Sequence, residues 1–160
     1  MPLSLFRADG PPPDVPVGPP LMAGVRQFHN SQKVHLMSNY WVVGASWGGV
    51  EHQDKKFIEQ GIWMLGWEED DQPAQYKKAS EMKSGDRIAI KRMKGGGQTG
   101  IKIFHLGIIK GVILEANKII CTVDWVAKDL NRNIEESRGC FKSIHGPFEH
   151  DEWVEKVFCL

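Results

Sequence analysis

The apolar residues of this chain come in short runs, each closed by glycine or by a charged turn. Residues 40–45 make the first run and 62–67 the second; 87–91, 101–112 and 119–126 follow. Runs this short, rich in valine, isoleucine and aromatic residues, read as strands. None approaches the roughly 20 consecutive apolar residues that a membrane helix needs. Two mixed stretches between the early runs read as helices. Residues 54–60 set Phe57 and Ile58 among charged side chains and stop at Gly61. The second helix follows the acidic turn 68–71, with Asp71 as its cap and Pro73 in its first turn. It runs to about Met82, with Tyr76, Ala79 and Met82 on one face.

The later runs add detail. Ser84-Gly85-Asp86 is a turn, and Arg87-Ile88-Ala89-Ile90-Lys91 alternates polar with apolar, the period of a half-buried strand. Residues 94–100 form a glycine-rich, mobile loop. Gly107 interrupts the run 101–112 and marks a bulge or a close backbone approach. Val154 to Phe158 reads as a last strand that closes the sheet. Five or six short strands with two early helices predict a small mixed α+β barrel.

A length of 160 residues supports one domain with an ordinary core. Seven of the nine prolines precede residue 21, and residues 1–36 show no sustained period. They read as a disordered Pro/Gly-rich extension without the long apolar segment of a secretory signal, leaving 37–160 as the ordered domain. Cys121, Cys140 and Cys159 are odd in number and widely spaced, which fits a reducing, cytoplasmic setting rather than a disulfide framework. Cys140, His145, His150 and Cys159 lack the close cysteine pair of a zinc site, so neither a metal nor a cofactor is expected. Nothing local orients a Cys140–His145 nucleophile pair.

Lys and Arg balance Asp and Glu at 20 each, so no global field draws a polyanion to the chain. A local basic surface is the alternative. Lys83, Arg87, Lys91, Arg92, Lys94 and Lys102 fall in one stretch, against Glu81 and Asp86. The same pattern fits a solvated strand face with a lysine-rich turn.

Tryptophan is the residue that points to a ligand. Four of the six lie between Trp41 and Trp67, beside glycine or polar turns. Trp41 fits an inward-facing strand position, whereas Trp47, in Ser46-Trp47-Gly48-Gly49, belongs to a loop too glycine-rich to continue the strand. Indoles spaced this way can form flat walls for a planar guest, and stacking a base on an aromatic face contributes roughly 1–3 kcal/mol. They can equally be packing residues.

The motifs Trp-Val-Val-Gly-Ala-Ser-Trp-Gly-Gly, Gly-Ile-Trp, Gly-Asp-Arg-Ile-Ala-Ile-Lys, Gly-Ile-Ile-Lys and Val-Asp-Trp occur in that order between Tyr40 and Phe158. In this the chain resembles the EVE/YTH-like branch of the PUA-like superfamily. It is especially similar to the amino-terminal modules of McrB-type, modification-dependent restriction proteins. The resemblance implies a small curved β-barrel with flanking helices that takes a modified base, turned out of its helix, into an aromatic cage. Trp63 stands where YTH domains carry their first cage tryptophan. Trp47 belongs to the loop that borders the pocket, and Trp67 is a third wall. Trp125 matches a structural position, and Trp153 reads as core. The loop Gly95-Gly96-Gly97-Gln98 lacks the second cage tryptophan of YTH domains, so Trp47 or Trp67 has to complete the cage.

Ser46, Asp70 and the backbone amides around Ala45 are candidates for reading a base edge, and Lys91, Arg92, Lys94 and Lys102 for holding flanking phosphates. Ser46 fits equally a strand end, and Asp70 a solvated turn. The chain carries no HExxH and no GxxxxGK[ST] loop, so any cutting or nucleotide hydrolysis would belong to a nuclease or NTPase domain or subunit elsewhere. The expected partner is nucleic acid, modified DNA ahead of RNA, with no membrane and a monomeric chain. The competing readings are an RNA-binding PUA-like module, a small nucleotide- or RNA-processing enzyme acting through His105, His145 or Lys91, and a protein-interaction module.

Overall fold

One long strand organises the sheet. The computed structural model describes residues 37–160, and the expected extension over 1–36 lies outside the described residues. In chain order the elements are β1 (Tyr40–Gly44), β2 (Ser46–Trp47), β3 (Glu51–His52), α1 (Asp54–Gln60), β4 (Ile62–Met64), α2 (Pro73–Ser80), β5 (Arg87–Met93), β6 (Ile101–Glu115), β7 (Lys118–Ala127), β8 (Arg132–Ile134), β9 (Ile144–Phe148) and α3 (Glu152–Phe158). β6 pairs with β5 along one edge and with β7 and then β8 along the other. The resulting seven-stranded sheet runs β4-β7-β6-β5-β1-β9, with β8 beside β6. Its pairings are antiparallel except β1 with β5. The class is therefore α+β, as expected, with more strands than the five or six read from the sequence.

The sheet does not close into a barrel. Closure requires the two edge strands to pair with each other. Here β4 pairs inward with β7 and β9 inward with β1, and the sheet stays open between them. The pairing of β6 with β7 is irregular, its register shifting at Leu106/Gly107 and again at Ile109/Gly111. Gly107 also makes the close approach that its position suggested: a Cβ there would meet Val123 and lie 2.9 Å from the Trp125 ring.

Both faces of the sheet are covered. Trp41, Val43, Ile88 and Ile90 join Phe57, Trp63, Leu65 and Trp125 in one cluster. Val42 and Ala89, on the alternate positions, join Ile103, Cys140, Trp153 and Val157 in the other. This corrects the reading of 87–91 as half-buried, since Ile88 through Lys91 are all buried. The polar–apolar alternation is real, but the second face lies beneath α3 and the segment before β9 rather than water.

Three local expectations also change. Residues 152–158 form a helix rather than a strand, because the Asp151 carboxylate accepts the Val154 N–H at 2.8 Å and caps it. Trp153, Val154 and Val157 then share its buried face, at helical spacing. α2 does begin at Pro73, but Gln72 rather than Asp71 is its cap residue, and it ends at Ser80. Residues 46–52 form a small hairpin instead of an irregular loop. Its loop is three residues long, 48–50; Gly48 and Gly49 take positive φ of 57° and 76°, and the Val50 N–H is donated to the Trp47 carbonyl at 3.2 Å. α1 matches its expected limits, stopped by Gly61 at φ 65°. Among the described residues no helix is long and apolar enough to cross a membrane.

Candidate nucleic-acid interface

Three indoles from two segments, Trp47 from the β2–β3 hairpin and Trp63 and Trp67 from β4 and the residues after it, meet at one cleft. Its lining includes Gly44, Ser46, Trp47, Trp63, Gly66, Trp67 and Ser143, around about 130 Å³. That is below the roughly 300–1,000 Å³ of sites for drug-sized ligands, so it suits one small flat group. Each wall is placed by a different device. Trp47 comes from the β2–β3 hairpin and is 39% exposed. Its ring rests over Gly66, where an added Cβ would lie 3.0 Å from the indole nitrogen. Trp63 is the middle residue of β4, opposite Cys121, and is wholly covered, with its N–H donated to the Gly44 carbonyl at 2.9 Å. It is a floor for the cleft more than a wall. Trp67, just past the end of β4, is 41% exposed and donates its N–H to Ser143 Oγ at 3.0 Å.

Ser143 escaped the sequence reading. Besides holding Trp67, it accepts the Gly44 N–H at its carbonyl, at 2.8 Å. Its own N–H and that of Ile144 go to one oxygen of Gln75, at 3.0 and 3.2 Å. The serine thus ties β1, α2 and β9 at the cleft's rim. A partner 76 residues from Trp67 leaves no local sequence signal. Ser46 lies in the cleft, its hydroxyl 2.7 Å from His52 Nδ1. Asp70 lies in the exposed turn before α2; Asp71, not Asp70, borders the adjoining hollow formed with Trp47, Gly66, Trp67 and Lys118. Among the described residues the Trp47 N–H finds no acceptor, so it is a free donor at the cleft.

The expected phosphate-holding residues are mostly engaged elsewhere. Lys91 is only 5% exposed, and burial depresses its pKa. Arg92 pairs with Asp54 at 2.6 Å and lies 4.3 Å over the Phe104 ring. Lys94 pairs with Glu135 at 3.1 Å. Of these four, Lys91 and Lys102 have no ion-pair partner among the described residues, and of those two only Lys102 is not buried. A different set of cations gathers beside the cleft. Lys78 on α2 is three residues beyond Gln75 and so shares its face toward residues 143–144. Lys142 adjoins Ser143, and its N–H is donated to His145 Nε2 at 2.8 Å.

The two groups once weighed as a nucleophile pair are both neutral near pH 7. Burial pushes the Cys140 thiol up to about 11, although Lys91, Arg138 and Lys78 pull the other way. Burial and then the charge of Lys91 push His145 down to about 4, with Lys78 and Lys142 acting in the same direction. His105 is buried and fully used. Its Nδ1 accepts the Asp129 N–H at 3.2 Å, so Nε2 carries the proton and donates it to Asp54 at 3.2 Å. Burial raises the Asp54 pKa, but the His105 hydrogen bond and the Arg92 charge outweigh it and the net shift is downward.

Two larger hollows lie away from Trp47, Trp63 and Trp67. One, of about 700 Å³, runs between β8 and α3. Its arginines are occupied: Arg138 pairs with Asp151 at 2.7 Å, and Arg132 donates to the carbonyls of Val157 and Cys159. The other, of about 430 Å³, lies along Tyr40, Arg87, Gly107, Val126, His150 and Phe158, and its rings pack on one another, Tyr40 tilted against His150 at 6.0 Å and edge-on to Phe158 at 5.0 Å. The smaller cleft is the one of the three that brings three tryptophans together. No protein-family model and no curated protein matches this chain.

Proposed function

We propose that this chain is a nucleic-acid reader that takes one extruded, modified base between Trp47 and Trp67, over a floor made by Trp63. The observation that supports this is the convergence of three indoles, two of them exposed, on a cleft of about 130 Å³. Extruding a base costs a few kcal/mol in lost stacking and pairing. Two indole faces, at roughly 1–3 kcal/mol each, can offset that. A methyl group adds about 0.8 kcal/mol, a few-fold preference. Sharper discrimination needs polar groups that fit one base edge and are left unsatisfied by another. The Trp47 N–H, without an acceptor among the described residues, and the Ser46 hydroxyl, 2.7 Å from His52 Nδ1, are the groups we assign to that role. Modified DNA is the favoured partner, and RNA binding by an otherwise similar module is the runner-up. In the restriction setting that the resemblance implies, this chain reads, and cutting and nucleotide hydrolysis belong to a nuclease or NTPase domain or subunit elsewhere.

Tryptophan fluorescence tests the reading. Short DNA duplexes without modification, or carrying methylcytosine, hydroxymethylcytosine or methyladenine, are titrated beside their RNA counterparts. Trp67→Ala is the control, since Trp67 is exposed and its loss spares the core. Quenching specific to one modification and lost in the variant is the expected result. The 2′-hydroxyl distinguishes a preference for RNA from one for DNA. Weak binding to every oligonucleotide, abolished by salt and unchanged in the variant, would overturn the proposal.

A further inference from the structure

Phe141 is 66% exposed, yet the segment carrying it is held on both sides. Before it, Cys140 is fully buried, and its N–H is donated to the Ser137 carbonyl at 3.0 Å. After it, the Lys142 N–H goes to His145 and the Ser143 N–H to Gln75. Ser143 in turn touches Trp67 and lines the tryptophan cleft. The fold therefore presents an aromatic side chain to water from a pinned loop at the rim of that cleft. Holding the loop in advance lowers the ordering cost of any contact it makes. Packing does not explain the ring, because its neighbour Cys140 fills the inward position. Cations lie near the segment, although Arg138 among them is paired with Asp151 at 2.7 Å. Lys142 follows directly, and Lys78 faces the same segment from α2. The groups acting on Cys140 and His145 through their charge, Lys78, Lys91, Arg138 and Lys142, are all cationic.

We propose that residues 139–143 form a second nucleotide subsite, in which Phe141 covers the face of the base next to the one in the cleft. Lys142 and Lys78 hold the phosphates on that side. This rests on the reading of the cleft given above and extends it. Extruding one base bares the faces of its neighbours to water. An aromatic ring laid on one of them restores a stack that is indifferent to which base it is. The subsite thus strengthens binding without reading sequence.

A ligand-by-variant cycle tests it. Fluorescein-labelled DNA duplexes carrying methylcytosine or methyladenine are made intact, or abasic at the nucleotide on either side of the modification. For the wild-type chain, an abasic neighbour on one side weakens binding about tenfold. Phe141→Ala weakens binding to the intact duplex about as much, and the variant becomes indifferent to the abasic neighbour. Equal weakening on intact and abasic duplexes, or no weakening, overturns the subsite and leaves the cleft reading standing. A wild-type chain that favours no modified duplex overturns both. Lys142→Ala and Lys78→Ala each lower the slope of log affinity against log salt by about one. Unchanged slopes remove the phosphate contacts from the proposal.

Discussion

The six tryptophans divide into two sets that the same residue type serves in opposite ways. Trp41, Trp63, Trp125 and Trp153 are buried, and each donates its N–H to a protein acceptor: Asp86, Gly44, Phe57 and Glu136 respectively. Trp47 and Trp67 stay exposed, one bonded to a serine hydroxyl and the other with its N–H free among the described residues. A buried indole with a satisfied N–H contributes packing without a desolvation penalty. An exposed one contributes little to folding and leaves a face for something else. Fractional burial and N–H partner together separate scaffold from candidate binding surface, which composition alone does not do.

The sharpest way to break this division is to compare stabilities. Trp41→Ala removes a core side chain and one donor to the buried Asp86 carboxylate, which keeps the backbone N–H groups of Asn39 and Lys83. Its cost is expected at about 3–5 kcal/mol in urea unfolding, against under about 1 kcal/mol for Trp67→Ala. Comparable losses would erase the distinction.

Acid sharpens it next. His145 is held neutral in the folded chain, with its pKa pushed down to about 4 from 6.5. The folded state therefore binds fewer protons than the unfolded state between those values. The contribution is complete above about pH 6.5 and is lost as pH falls toward 4. For a half-buried ring, allowing for solvent screening, the loss is on the order of 1 kcal/mol. His145→Gln should flatten that part of the stability curve. In the wild type, Trp67 should sense the change before the buried four, because Lys142 and Ser143 link it to His145. Simultaneous changes at all the indoles would contradict that link.

The smallest effect is geometric. Gly66→Ala places a methyl 3.0 Å from the Trp47 ring, which has to shift by a few tenths of an ångström. Stability should stay within about 0.5 kcal/mol, as for most surface substitutions, while affinity for the preferred oligonucleotide falls a few-fold. An affinity identical to wild type would show that Trp47 is not a wall.

Much of the scaffold was legible because its signals are local. Gly61 stops α1, Pro73 opens α2, and the runs around Val42, Ile88 and Ile120 became strands. Two valines and a phenylalanine pulled residues 154–158 toward a strand reading, yet Asp151 and the acidic first turn favour a helix. For the site, the convergence of Trp47, Trp63 and Trp67 followed their spacing. The basic surface did not. Lys91, Arg92 and Lys94 formed a run in sequence, but β5 turns Lys91 inward, and carboxylates at Asp54 and Glu135 take the other two. Gln75, Lys78, Phe141 and Ser143 come together only through folding, and no run of residues announces them.

The parallel pairing of β1 with β5 also orders events in time. β6 and β7 are joined by a tight turn at Ala116 and Asn117 and can zip together early. β1 has to find β5 across the whole of α1, β4 and α2, and Trp41 meets Asp86 over a separation of 45 residues. Such distant contacts carry the larger loop-closure entropy and form late. The rim of the tryptophan cleft hangs from β1 and β9, so the surface proposed to meet nucleic acid should be the last part of the chain to mature. Pulsed hydrogen exchange during refolding would record this as protection of β6 and β7 before β1.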